Sequence, residues 1–166
     1  ALARYFLSKN YFVFGYDREI SEVSKVLRDL GATISTSVSE SMDAIESNSI
    51  VHIIRTPAVK QTHPLMLALK DHKVVKRSDE LGVISRKHNC LAVAGTHGKT
   101  TISSMLAKIL AYEKKPMIAF LGGDCKDFES NYYEVEGEDQ RMVVEADEYD
   151  RTFLKLSPQS AIISNL

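Results

Sequence analysis

The feature that most constrains this chain is an apolar run that passes through a glycine-bounded turn into a helix. It occupies residues 91–101, Leu-Ala-Val-Ala-Gly-Thr-His-Gly-Lys-Thr-Thr. Glycines at both ends of the turn allow a tight backbone curve that brings several N–H groups together. A helix beginning near Gly98 would add its unpaired N–H groups and the positive end of its dipole. The pattern predicts a phosphate-binding loop after a strand.

Three side chains around this loop suit a nucleoside triphosphate and its metal ion. Lys99 supplies a mobile cation for phosphate oxygens, and the Thr100 hydroxyl is a hard oxygen ligand of the kind that Mg²⁺ prefers. His97 lies between the glycines, where a contact to phosphate or substrate and a merely packed imidazole are both open. The predicted nucleotide-binding residues are Gly95, Thr96, His97, Gly98, Lys99, Thr100 and Thr101.

The spacing departs from the common phosphate-loop pattern, which has four residues between its first glycine and the Gly-Lys-Ser/Thr end. Here two residues separate Gly95 from Gly98, and Val93 occupies the usual position of the first glycine. The loop is therefore a shortened variant. The alternative interpretation is a glycine-rich turn that carries an exposed lysine.

Composition and charge narrow the possible partners. With 44% hydrophobic and 26% charged residues, the 166-residue chain could form one ordinary domain or two small ones. Its net charge of -1 does not favour nucleic-acid or membrane-surface binding, which needs a basic face. We expect no secretory leader on this chain, and Cys90 and Cys125 have no partner at metal-ligand spacing. We therefore expect free thiols in a cytoplasmic protein, and the oligomeric state stays open.

Short apolar strands alternate with helical stretches along the whole chain. This rhythm predicts an α/β fold with a mostly parallel, doubly wound sheet. We predict a boundary between two units at 86–89. We predict that the strands at 132–135 and 141–144 form a hairpin-like pair, and that one apolar stripe of the long helix contains Ile102, Met105, Leu106, Ile109 and Leu110. The remaining predicted strands are 11–15, 33–38, 50–54, 73–75, 117–121 and 161–164, and the remaining predicted helices are 20–30, 65–70 and 79–86.

Both ends of the sequence have the character of an interrupted fold. The chain opens on an apolar helical stripe (Ala1, Leu2, Tyr5 and Phe6) without the strand and glycine-rich turn that precede such a helix in dinucleotide-type folds. It finishes on a strand without the following loop, where the chemistry of parallel sheets takes place. We expect a piece of a larger protein.

A second chemical motif is the apolar strand 142–144, which runs directly into acidic residues. Glu145, Asp147, Glu148 and Asp150 follow it. Carboxylates at the carboxyl end of a buried strand beside a phosphate loop are well placed to hold Mg²⁺. We assign Glu145 to that role, and Asp147 and Glu148 to support of the site or to capping of the next turn. An acidic strand end by itself is usually only a solvated turn.

Together these two motifs resemble those of the Mur ligases. The similarity rests on residues 94–101 and 145–151, with further matches at 1–5, 56–59, 76–78, 81–82, 122–123 and 153–158. It implies a Rossmann-like UDP-binding domain, truncated here, over residues 1–88. It also implies the first part of a central P-loop ATPase α/β domain over 89–166. A C-terminal domain would be missing, so we expect this chain to be inactive by itself.

The resemblance implies ATP-dependent amide-bond formation in peptidoglycan synthesis, with ATP and Mg²⁺ required. The substrates would be UDP-N-acetylmuramate, activated as an acyl phosphate, and L-alanine. Lys99, Glu145 and His97 are then the predicted catalytic residues, with Thr100 and Glu145 on the metal. Asp17 also lies just past a strand end, where an acid commonly meets a ribose hydroxyl. The predicted substrate contacts are Asp17, Thr56, Ala58 and Arg77 on the UDP side, and Gly122, Gly123 and Asn131 on the muramyl side.

Three alternatives stay open at this point. His97 is compatible with a related ligase that attaches a tripeptide, whereas the run 151–156 favours addition of alanine. A non-catalytic nucleotide-binding fragment fits the interrupted ends. A general ATPase switch would fit the phosphate loop alone.

Overall fold

A computed structural model describes residues 1–47, 52–125, 128–148 and 151–165. The chain divides into two compact units, Leu2–Arg77 and a second unit formed by Ser78–Leu166 with Ala1. This division falls eleven residues before the boundary predicted after residue 88. Part of the predicted strand 50–54 and part of the acidic run 145–150 lie outside the described residues. None of the described helices has the length and apolar character needed to cross a membrane.

The unit Leu2–Arg77 contains two separate pairs of short parallel strands with helices between them. In the first pair Phe14 lies opposite Thr33, and in the second Ile53 lies opposite Val74. The elements in chain order are α1 (Leu2–Ser8), β1 (Phe14–Tyr16), α2 (Glu22–Asp29), β2 (Thr33–Ser35), α3 (Val38–Ser47), β3 (Ile53–Arg55), α4 (Pro64–Ala68) and β4 (Val74–Lys76).

Local hydrogen bonds explain why two predicted strands of this unit are shorter than expected. The strand predicted at 11–15 starts at Phe14, because Tyr11 completes the end of α1: its N–H donates to the Phe6 carbonyl at 3.0 Å. The strand predicted at 33–38 stops at Ser35, whose hydroxyl accepts the Ser37 N–H at 2.9 Å. Helix α3, which the sequence analysis did not predict, begins at Val38, because the Ser37 hydroxyl accepts the Glu40 N–H of its first turn at 3.3 Å.

The second unit is built on a five-stranded sheet. Its elements are α5 (Arg77–Ser85), β5 (Asn89–Ala94), α6 (Lys99–Tyr112), β6 (Met117–Cys125), β7 (Ser130–Val135), β8 (Arg141–Glu145) and β9 (Ser160–Ile163). The strand order is β7-β6-β8-β5-β9; four strands are parallel, and β7 pairs antiparallel with β6 at the edge. A short 3-10 helix, Thr152–Leu154, lies between β8 and β9 in the sequence.

The predicted hairpin between 132–135 and 141–144 is wrong, because β6 lies between β7 and β8. Met142, Val143 and Val144 are almost completely buried, as expected for a strand covered on both faces in the middle of a parallel sheet. β7 retains partly exposed positions and suits an edge. The hairpin forms between β6 and β7 instead.

Helix α6 packs on the sheet through a narrower face than predicted. Ala107 belongs to the buried core cluster with Met117, and the partly buried Leu106 and Leu110 pack against that cluster. Met105 and Ile109 of the predicted stripe are instead each 61% exposed. The small buried residues Ser103 and Ala107 let the helix approach the strands closely and rotate Met105 and Ile109 toward solvent. The described apolar face of α6 is therefore centred on small residues that a search for large apolar side chains overlooks.

Both cysteines are free thiols, as predicted. Cys90 is fully buried in β5, and burial raises the pKa of its thiol to about 11. Cys125 is partly buried and packs against the core cluster.

Two methionines of the same unit test this packing. Met117→Ala removes a fully buried side chain and should lower the free energy of unfolding by about 2–5 kcal/mol. Met105→Ala, on the exposed side of α6, should change it by less than about 0.5 kcal/mol. Urea denaturation followed by circular dichroism measures both. Equal losses would contradict the described orientation of α6.

Candidate functional site

The parallel pairing of the second unit brings the carboxyl ends of four strands to one edge of the sheet. Val93 of β5 lies opposite Glu145 of β8, and Ala94 lies opposite Ile163 of β9. Loops at this edge are the usual place for ligand binding in open α/β sheets. The predicted phosphate loop and the predicted acid therefore come together, although they are distant in sequence.

The two glycines of the loop have the backbone conformations that require them. Gly95 has φ +125° and Gly98 has φ +80°, in the left-handed region that side chains disfavour. Gly98 is the N-cap of α6, so the loop passes directly into the helix as predicted. A Cβ on Gly95 would also overlap the Ser164 hydroxyl, so this glycine permits a close approach between two segments.

Lys99 is held at the helix N-terminus by an ion pair that the sequence analysis did not anticipate. Its Nζ donates to the Gly95 carbonyl at 2.6 Å and to the two carboxylate oxygens of Glu148 at 2.9 and 3.2 Å. The hydrogen bond from Lys99 lowers the pKa of the Glu148 carboxyl. Glu148 therefore contacts the lysine directly, beyond the supporting role predicted for it.

The Glu145 carboxylate is fixed by neutral donors from two different elements. It accepts hydrogen bonds from Thr100 Oγ1 at 3.1 Å, from Ser103 Oγ at 3.1 Å and from the Gly122 N–H at 2.6 Å. The sequence analysis did not single out Ser103. The available signal was its position, as a small polar residue on the inner face of α6. Among the described residues, no group of three or more His, Cys, Asp and Glu side chains could hold a metal ion without other ligands.

Two N–H groups of the predicted phosphate cradle donate to Asn165, the second residue after β9. The Thr96 N–H donates to the Asn165 carbonyl at 3.3 Å, and the His97 N–H donates to Asn165 Oδ1 at 3.0 Å. The side chains of His97 and Thr101 are both exposed. The cradle that remains at the helix N-terminus consists of the first N–H groups of α6, which have no intrahelical partner.

The predicted UDP-side residues lie in the other unit, each after the carboxyl end of a strand. Asp17 follows β1 and accepts hydrogen bonds from Ser24 Oγ at 3.0 Å and from the Arg18 N–H at 2.8 Å. Thr56 and Ala58 are exposed in the turn after β3, and Arg77 directly follows β4.

Of the two predicted muramyl-side glycines, Gly122 lies beside Glu145. A Cβ on Gly122 would overlap the Glu145 carboxylate, whereas one on Gly123 would meet nothing within 4 Å. Asn131 is the second residue of β7, on the strand paired with β6. Of the three, the structure brings Gly122 into direct contact with the acid.

No protein-family model matches the chain. Its sequence is nevertheless 42% identical over 173 aligned positions to the UDP-N-acetylmuramate–L-alanine ligase of Christiangramia forsetii, and 41% identical over 169 to that of Parabacteroides distasonis. These alignments cover 100% and 99% of this chain. The chain spans 37% and 36% of the length of these curated relatives.

Solved structures show the same fold. The UDP-N-acetylmuramate-alanine ligase of Thermotoga maritima matches 99% of this chain and 38% of its own chain, with a TM-score of 0.84 and 29% identity. A murein peptide ligase of Psychrobacter arcticus matches 99% of this chain and 40% of its own, with a TM-score of 0.82 and 26% identity. By sequence and by fold, the chain belongs to the Mur ligase family.

The adjacent glycines of β6 provide a matched test of the Glu145 cluster. Gly122→Ala should displace the carboxylate from its hydroxyl partners, move the amide resonances of Thr100 and Ser103, and cost about 1–3 kcal/mol of stability. Gly123→Ala should leave these resonances in place, because its Cβ enters open space. Two-dimensional NMR compares the variants. Unchanged resonances in Gly122→Ala would disprove the close approach.

The Lys99–Glu148 pair can be tested by titration. The Glu148 carboxyl should have a pKa below its ordinary value of 4.5, and Lys99→Met should raise that pKa again. Because the folded-state pKa is lowered, the stability from this pair is present above the ordinary pKa and is lost as the pH falls through the lowered value. Carboxyl ¹³C NMR measures the pKa.

Lys155→Met is the control for this titration, since Lys155 pairs with Asp79 at 2.8 Å instead. It should leave the pKa of Glu148 where it is. A Glu148 pKa that does not respond to Lys99→Met would contradict the ion pair.

Proposed function

We propose that the protein is an ATP-dependent ligase that joins L-alanine to the carboxylate of UDP-N-acetylmuramate in peptidoglycan precursor synthesis. Because the chain spans about 37% of the length of its curated relatives, we assign the activity to a longer protein that contains it. One observation supports ATP-dependent chemistry: Lys99, Thr100 and Glu145 lie together at the N-terminus of one helix. The substrates are proposed from the relatives' names.

Thr100 and Glu145 fit a magnesium site in this proposal. Their facing oxygens are 3.1 Å apart, and two neighbouring ligands of an octahedral Mg²⁺ at 2.0–2.1 Å would be separated by about 2.9 Å. Mg²⁺ commonly binds one or two protein oxygens together with substrate phosphates and water, so a larger protein cluster is unnecessary. Bound there, the ion would neutralise charge on the transferring phosphoryl group.

Lys99 and the loop would bind the phosphates of ATP. In the proposed reaction Lys99 releases the Glu148 carboxylate and binds the β- and γ-phosphates instead. The first N–H groups of α6 donate hydrogen bonds to phosphate oxygens. Gly95, Thr96 and Gly98 shape the loop, while His97 and Thr101 present exposed side chains to the same edge. Phosphoryl transfer to the muramyl carboxylate depends mainly on such positioning and charge neutralisation.

The acyl phosphate formed in this step would then react with the amine of L-alanine and release phosphate.

We assign residues 1–88 to UDP binding and residues 89–166 to ATP binding. The sugar nucleotide would contact Asp17, Thr56, Ala58 and Arg77, and its muramyl part would lie near Gly122, Gly123 and Asn131. We place the enzyme in the cytoplasm, where its nucleotide substrates are made.

A second candidate attaches a preformed peptide instead of alanine. It is supported by the similarity to the murein peptide ligase of Psychrobacter arcticus described above, which is 26% identical to this chain. The higher sequence identities belong to relatives named for alanine. We therefore favour alanine.

The two candidates are separated by assaying the full-length protein with ATP, Mg²⁺ and UDP-N-acetylmuramate. Free L-alanine should be ligated and support phosphate release, and the tripeptide should not. Faster ligation of the tripeptide would replace the first candidate with the second. ATP hydrolysis that ignores the UDP-sugar would overturn both in favour of a general ATPase, and the absence of any turnover would favour a non-catalytic nucleotide-binding protein.

The loop lysine should be indispensable in that assay. Lys99→Ala should reduce ATP turnover by about 10²-fold or more, because a charge that contacts the transferring phosphates is lost. Lys108→Ala, a change of the same type on an exposed position of α6, should retain near-normal turnover. Circular dichroism checks that both variants are folded. A Lys99→Ala enzyme with a normal rate would mean that the loop does not bind the reacting phosphates.

A further inference from the structure

Both backbone polar groups of His97 are bonded by two consecutive residues from another part of the chain. The His97 carbonyl accepts from Ser164 Oγ at 2.5 Å, and the His97 N–H donates to Asn165 Oδ1 at 3.0 Å. His97 lies between the two glycines of the loop, where neither helix nor sheet bonding fixes the backbone. Its conformation is therefore set by side chains that follow β9.

Further hydrogen bonds join the same two segments. The Ser164 N–H donates to the Ala94 carbonyl at 3.0 Å, which continues the pairing of β9 with β5. The Asn165 carbonyl accepts the Thr96 N–H at 3.3 Å. The missing side chain of Gly95 makes room for the Ser164 hydroxyl. These hydrogen bonds attach the loop through both backbone groups of His97, through the Thr96 N–H and through the Ala94 carbonyl that precedes Gly95.

Such attachment matters because the loop is short and contains two glycines. Glycine has the largest backbone freedom to lose, so an unattached loop would pay its ordering entropy on binding a ligand. A loop already held in its binding shape avoids that cost, which raises affinity without adding a contact to the ligand. The bonds go to backbone atoms, so they order the loop itself.

We propose that Ser164 and Asn165, which we call the β9 latch, are positioning residues that hold the loop for the nucleotide. The inference rests on the proposed nucleotide site. The latch accepts hydrogen bonds from the N–H groups of Thr96 and His97. By fixing these two residues, it orients the N-terminus of α6 toward the phosphates of the nucleotide. An uncharged amide suits this place, because Asn165 is exposed and accepts hydrogen bonds without placing a negative charge beside a polyphosphate.

The test is isothermal titration of Mg-ADP into the full-length protein and its variants. Ser164→Ala and Asn165→Ala should each weaken ADP binding by roughly fivefold to twentyfold, the effect of losing one or two hydrogen bonds. Asn165→Asp keeps the acceptor oxygens but adds a charge, so its loss of affinity should shrink at high salt. The losses in the alanine variants should not depend on salt.

Ser160→Ala is the matched control, since Ser160 is an exposed serine at the start of β9, four residues before Ser164. It should bind ADP as the wild type does. The affinity for the UDP-sugar should stay unchanged in every variant, which separates positioning of the loop from general damage to the fold. Variants that lose thermal stability but keep ADP affinity would show that the latch is structural only and overturn the proposal.

The outcomes distinguish this inference from the proposed function. A wild-type protein that binds ADP and loses affinity on latch mutation, yet makes no ligation product, would refute the ligase and support the latch. Normal ADP binding by both alanine variants would refute the latch whatever the reaction. A wild-type protein that binds no ADP would refute the nucleotide site and the latch together.

Discussion

The hydrogen bonds to the Glu145 carboxylate join the elements on which the described site depends. One carboxylate connects the end of β8 to helix α6 through Thr100 and Ser103, and to strand β6 through the Gly122 N–H. These partners are neutral, so the negative charge is held in place without being cancelled. Any cation at this edge of the sheet would meet an acid that is already oriented, which is the condition for strong electrostatic binding with little reorganisation.

The second acid of the site has a different character. Glu148 is half exposed and pairs with a lysine whose side chain is only 16% exposed. An ion pair open to solvent on one side is weak and can be exchanged at small cost. Two carboxylates three residues apart therefore suit different tasks: Glu145 stays fixed, and Glu148 occupies the lysine until a stronger anion arrives. In the proposed reaction that anion is the phosphate chain of ATP.

Local features of the sequence predicted the helices and strands well. They predicted less well which strands pair and which side chains meet. The loop into α6 was predictable because glycine conformation, helix capping and apolar runs act over a few residues. The hairpin assigned to β7 and β8 was wrong because strand pairing is decided by burial across the sheet, which places the apolar β8 at its centre. The contact of Glu148 with Lys99 and the roles of Ser103 and Asn165 were missed for a related reason. Their partners lie 42 to 69 residues away in the sequence, beyond the reach of periodicity.

The shortened loop and the β9 latch are best understood together. A conventional phosphate loop has enough residues between its glycines to curve around a phosphate by itself. The present loop has only Thr96 and His97 there, and both of their N–H groups turn to Asn165. A short loop that is attached to the neighbouring strand can keep a fixed shape with fewer residues, at the expense of cradle N–H groups. Phosphate binding then depends on Lys99 and the N-terminus of α6, which the fixed loop holds close to Thr100 and Glu145.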